Sequence, residues 1–166
     1  MTNTQHYHLS TRAIAREMTA LSALNCILHK GSLRPALLTP GHERALAIVI
    51  KNAFSFICLA LMSVATDCNL NDKTASADDE DSDDENLDII LSIDLSTPQH
   101  MTTTATGTLR QLIEQAIMLH ALHLCYMGSD HQLATNYKEQ SDAILTRIRD
   151  SLTPGTADTR LTPSFF

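Results

Sequence analysis

Apolar residues along this chain fall into five blocks, four with helical spacing and one with the spacing of a strand. From about Thr11 to Lys30, Ile14, Met18, Leu21, Leu24 and Leu28 recur on one side of a helix, with Ser10 or Thr11 as its cap and Gly31 as its stop. Thr39-Pro40 marks a second start, because proline is tolerated at the first helical position. The run that follows, Ala45 to Ala65, holds only Lys51 and Asn52 as strongly polar side chains. Further on, Leu87, Ile89, Leu91, Ile93 and Leu95 alternate with Asp88, Ile90, Ser92 and Asp94, the period-two pattern of a strand with one buried face, stopped by Pro98. A third long helix is predicted over about 108–127, with Leu109, Leu112, Ile113, Ala116, Ile117, His120 and Leu124 on its apolar side and Gly128 at its end. Ser129 or Asp130 can cap a fourth, whose stripe is Leu133, Tyr137, Ile144, Ile148 and Leu152. Only a Gly-Ser-Asp turn separates these last two helices, so they must double back on each other.

The pattern predicts a mainly α fold: a four-helix core of two helical hairpins, with one β-strand element that pairs between molecules or in a short hairpin. Residues 1–10 are expected to be a flexible N-terminus and 153–166 a flexible C-terminal tail. Between them, 11–152 forms a single helical domain with a disordered acidic loop at about 69–86. Seven acids in the eight residues Asp78–Glu85 repel one another and have nothing apolar to bury. Calcium binding by that run is disfavoured, because it lacks the central glycine of a calcium loop.

The strand needs a companion, since every strand carries a row of backbone donors and acceptors. Leu33–Leu38 is interrupted by Pro35 and Leu161–Phe166 by Pro163. Either forms a short internal ladder, or another subunit supplies the edge by β-augmentation. The apolar helix poses a related question. Its uncharged run, Ala53–Thr66, is too short for the roughly 20 residues that cross a bilayer. A central helix surrounded by others, or one that buries a second face against a subunit, fits better. The interface candidates are therefore Leu87, Ile89, Leu91, Ile93 and Leu95 on the strand and Phe54, Phe56 and Leu59 on the helix.

Composition narrows the chemistry. Hydrophobic residues make up 43% of 166, but aromatics only 4%, so the core must be aliphatic, a mix that favours helices. A net charge of −7 speaks against direct nucleic-acid binding. The polar start of the chain has no apolar stretch of signal-peptide length, and Cys26, Cys58, Cys68 and Cys125 are scattered without close spacing, as buried free thiols of a reducing compartment. The cytoplasm is the expected location. His120 and His123, three apart on a helix, are spaced to share a metal, yet Cys125 points away from His123, and no Glu-x-x-His pair is present. His42-Glu43 opens like a zinc-protease helix but has Leu46 where the second histidine belongs. A structural or interface role is expected for both imidazoles. With no nucleophile elbow, phosphate loop or Cys-x-x-Cys, neither an enzyme, a cofactor, a metal nor a small-molecule substrate is indicated.

The segment Tyr137-Lys-Glu-Gln-Ser-Asp-Ala-Ile-Leu-Thr-Arg-Ile-Arg-Asp-Ser-Leu152, closing an order of apolar helix, acidic loop, strand and helical hairpin over about Ala45–Leu152, resembles small helical head–tail connector proteins of tailed phages and prophages. The resemblance implies a ring-forming adaptor that works through shape and contact, with a homo-oligomer or other assembly proteins as partners and a place in a virion. The long acidic insertion and the extended first helix depart from that pattern. The expectation is a non-enzymatic structural or assembly protein. A helical protein-binding or regulatory module, using a groove or the acidic loop, is the alternative.

Overall fold

In the computed structural model, residues 2–28, 43–71, 89–98 and 101–153 are described. Their elements are β1 (Thr2–Ser10), α1 (Thr11–Leu28), α2 (Glu43–Ala60), β2 (Ala65–Asn71), β3 (Ile90–Pro98), α3 (Thr103–Tyr126) and α4 (His131–Leu152). The protein is mainly helical, with four helices and a small antiparallel sheet in the order β1-β3-β2.

The strand that seemed to lack a companion is the centre of that sheet. β3 is flanked by β1, with Tyr7 opposite Ile93, and by β2, with Cys68 opposite Ile93. Both of its ladders are therefore satisfied within the chain, and its need for a second molecule disappears. Neither of the partners considered from sequence supplies the ladder, and both of those segments, Leu33–Leu38 and Leu161–Phe166, lie outside the described residues. One partner is the segment expected to be a flexible N-terminus. β1 was hidden because only Tyr7 and Leu9 carry its inward pattern, against polar Thr4, His6 and His8. The other partner lies where the apolar helix was expected to run to Ala65 and a loop to begin at Asn69. The helix stops at Ala60 because the chain turns back, with the Val64 and Ala65 amides both donating to the Leu61 carbonyl. Thr66 forms a bulge in β2, where the register with β3 shifts. Most of the acidic loop, Leu87 and Asp88, and the tail beyond Thr153 lie outside the described residues.

The helix ends show why the elements begin where they do. Ser10 accepts from the Ala13 amide, so the hydroxyl that ends β1 also caps α1. Thr11 is buried beside it, its amide donating to the Ile89 carbonyl and its hydroxyl accepting from the Ile89 amide, which ties the strand-to-helix junction to the start of β3. Thr102 accepts from Ala105 and Asp130 from Leu133, capping α3 and α4. α2 has no basic residue in its last turn. Arg149 of α4 supplies one across space, donating from Nε (3.0 Å) and from its terminal nitrogen to the Ala60 carbonyl. It thus answers an orphan carbonyl at the negative end of the helix.

α3 and α4 run antiparallel, as the short turn requires. Ser141 donates to the Ala116 carbonyl, His123 donates from Nδ1 to the Ala134 carbonyl, and the Tyr126 and Tyr137 rings meet at 5.8 Å. α1 closes over them, with Ser22 hydrogen-bonded to Tyr126 and Asn25 to Tyr137. This contact rotates α1 away from its predicted stripe: Ser22 is buried, while Leu24 is half exposed. The surrounded helix is α3, not α2. Leu109, Ile113, Ala116, Ile117, Leu119, His120, Ala121 and Leu122 are all buried, and α1, α2 and α4 each pack against it.

Candidate functional site

The surface of α2 holds the feature with most functional content. Its inner side, Leu46, Ala47, Ile50, Ala53, Phe54 and Ile57, is core. Its outer side carries Ile48 at 62% exposure, Phe56 at 39% and Leu59 at 67%. At 100° per residue, Ile48 and Leu59 fall within about 20° of each other and Phe56 about 60° from Leu59, with Asn52 and Ser55 interspersed. Ile48 and Leu59 stand about 16 Å apart along the axis. Met62, in the turn just beyond the helix, is also exposed. A helix that is apolar on a second side is one that ordinarily has a second neighbour.

The eight candidate interface residues separate cleanly. Phe56 and Leu59 are on this surface. Phe54, Ile89, Leu91, Ile93 and Leu95 are buried in the core of the chain itself, and Leu87 lies outside the described residues. Sequence could not divide Phe54 from Phe56, because on a helix apolar all round the inward direction is set by what packs against it.

Phe56 is only half exposed because its ring stacks flat on His120, centroids 4.0 Å apart and planes 6° from parallel. His120 is buried, its Nδ1 has no hydrogen-bond partner among the described residues, and its pKa is lowered by burial first and by His123 second, with Lys138 adding to the lowering and Asp142 opposing it. It is therefore a neutral imidazole near pH 7. His123, with its ring centroid 5.5 Å from that of His120, is held by its bond to the Ala134 carbonyl. Among the described residues no group of three or more His, Cys, Asp or Glu side chains is placed to hold a metal. The two imidazoles lie between α2, α3 and α4, His120 against Phe56 and His123 against the Ala134 carbonyl.

Sequence reasoning missed a second polar assembly, on the outer face of the sheet. His6 Nδ1 lies 2.8 Å from Asp94 Oδ1, and His8 Nδ1 lies 2.9 Å from Ser92 Oγ. A nucleophilic serine needs one imidazole held between it and a carboxylate. Here the carboxylate holds one histidine and the serine meets the other, so the relay is split across two rungs. Asp67 and Asn69 of β2 complete the same rows opposite Asp94 and Ser92. Only the cross-strand register brings these residues together, and a chain without a recognised β1 gives no sign of it. As arranged, they stitch β1 to β3 as cross-strand pairs.

No helix among the described residues is long and apolar enough to cross a membrane. The fold defines a mainly helical protein built on a three-stranded antiparallel sheet with an apolar outer helix. No protein-family model, curated protein or solved structure matches the chain.

Proposed function

We propose that this chain is a non-enzymatic structural or assembly protein that associates with further copies of itself through the outer side of α2. The observation that carries the reading is the exposure of Ile48, Phe56 and Leu59 on a helix whose opposite side is already core. Full burial of such a side chain is worth about 1.5–3 kcal/mol, and a subunit contact would recover the share that belongs to the 39–67% still exposed. The reading takes α1 and α2 as a second helical hairpin beside α3–α4, and the head–tail connector resemblance is its most specific form, with copies arranged in a ring in the cytoplasm or a virion. β-Augmentation through β3 plays no part in it.

Light scattering over a concentration series tests the reading. The expected result is a mass that rises from the 18.3 kDa protomer to a defined multiple. Replacing Ile48 and Leu59 together by Glu should hold the protein at the protomer mass while leaving its melting temperature in dilute solution nearly unchanged. A wild-type protein that stays monomeric at the highest attainable concentration would sink the proposal.

A further inference from the structure

One buried titratable side chain stands directly behind the apolar outer side of α2. His120 of α3 is 5% exposed, and the half-exposed Phe56 ring lies flat on its imidazole, centroids 4.0 Å apart and planes 6° from parallel. Phe56 therefore roofs the imidazole on the side of α2 and takes its own orientation from it. A neutral imidazole suits this place, because one ring nitrogen carries no proton and the ring brings no charge under the roof. Protonation changes both. It puts an N–H on Nδ1, which has no acceptor among the described residues, and it places a charge in a buried site. A cation–π contact with Phe56 offsets part of that cost but supplies no acceptor. The charged surroundings do not rescue the cation. His123, on the same helix, has its ring centroid 5.5 Å away and opposes a second positive charge. α4 brings Asp142, which favours the charge, and Lys138, which opposes it, the two joined as an ion pair at 2.8 Å. α2 meets the imidazole with the uncharged Phe56 ring.

We propose that protonation of His120 displaces the Phe56 ring and dissolves the self-association of the α2 surface, so that assembly is switched off by acid. The inference rests on the self-association reading and adds its regulation. A second copy seated on Phe56 would bury the imidazole more deeply, so the assembled state disfavours the imidazolium more than the free protomer does. By linkage, each protomer set free takes up at most one proton at this site. Assembly is unaffected by His120 above the ordinary imidazole value near 6.5 and weakens as pH falls through the lower value that burial imposes in the folded protein. The dissociation constant should rise by up to about tenfold per pH unit for each protomer released. The direction is diagnostic. Acid brings this protein from a net charge of −7 towards its pI near 5.5, and the loss of mutual repulsion would by itself favour association.

Light scattering of the full-length protein at fixed concentration, in steps from about pH 7.5 to about pH 5, tests the switch, with circular dichroism reporting at each step whether the chain is folded. The wild-type mass should fall towards the 18.3 kDa protomer as pH drops and recover on return to about pH 7.5. His120→Phe, an uncharged ring in the same place, should keep at about pH 5 the mass that it has at about pH 7.5. Should that variant fail to fold or to assemble, His123→Gln decides, because it removes the neighbouring ring that opposes the charge. Its dissociation midpoint should lie at higher pH than that of the wild type, and an unmoved or lower midpoint overturns the proposal. A wild type already monomeric at about pH 7.5 sinks the self-association reading and the switch with it. A wild-type multimer that keeps its mass to about pH 5, that loses it only on unfolding, or that dissociates no more readily than His120→Phe overturns the switch alone.

Discussion

α2 and α3 are built from comparable runs of aliphatic residues, and they meet water in different ways. In α3, residues on nearly every side are buried, because α1, α2 and α4 each lie against it. In α2, one side packs on the core while Ile48 and Leu59 stand in solvent and Phe56 is half exposed against His120. A helix's hydrophobicity states how much surface it needs covered, and the neighbours decide how much is covered within one molecule. Among the described residues α3 is covered from several sides, and α2 keeps an apolar side that none of them covers.

Substitutions can break or sharpen this contrast. The largest expected effect is a cavity in α3: Ile117→Ala should lower the unfolding free energy by about 3 kcal/mol, whereas Ile48→Ala on α2 should change it by less than about 0.5 kcal/mol in dilute monomer. Chemical denaturation of both variants checks the pair, and a similar cost at the two sites would mean that the outer side of α2 is covered within the protomer. Next comes the α3–α4 seam. Ser141 is fully buried where the two backbones approach, so Ser141→Leu should destabilise by about 2 kcal/mol through overpacking, read as a lower denaturant midpoint.

A smaller change of opposite sign is expected at Tyr7. Its hydroxyl is buried without a partner among the described residues and its pKa is pushed up to about 12 by desolvation, so Tyr7→Phe should gain about 1 kcal/mol in thermal or chemical unfolding. The smallest effect is the pH response at the α2–α3 contact. His120 faces Phe56 from α2, His123 on its own helix, and Lys138 and Asp142 from α4. Its folded pKa lies below the ordinary value near 6.5, so its contribution to stability is complete above that value and is lost as pH falls through the folded pKa. Melting temperatures taken from pH 7.5 to 5 should decline more steeply for the wild type than for His120→Phe. Parallel curves would remove His120 as the cause.

The sequence was most informative where one element dictates its own pattern. The α3–α4 hairpin was legible because a three-residue turn leaves two long helices no other arrangement, and the Asp130 cap was visible as a residue type at its expected place. β3 was legible because Ile89, Leu91, Ile93 and Leu95 alternate without interruption. Its neighbours were not, since edge strands need only a few inward apolar residues, and β1 offers Tyr7 and Leu9 among threonines, glutamine and histidines. Of the candidate site, Phe56 and Leu59 were named from sequence, but so was Phe54, which is core.

By itself, then, the chain determined its helical periods, the caps of α1 and α4 and one strand, because each depends on residues within a few positions of one another. Tertiary structure alone decided that β1 and β2 enclose β3 and that α3 and not α2 is the surrounded helix. Those outcomes depend on which surfaces compete for the same neighbour, a choice made between segments far apart in the chain and invisible in the period of any one of them.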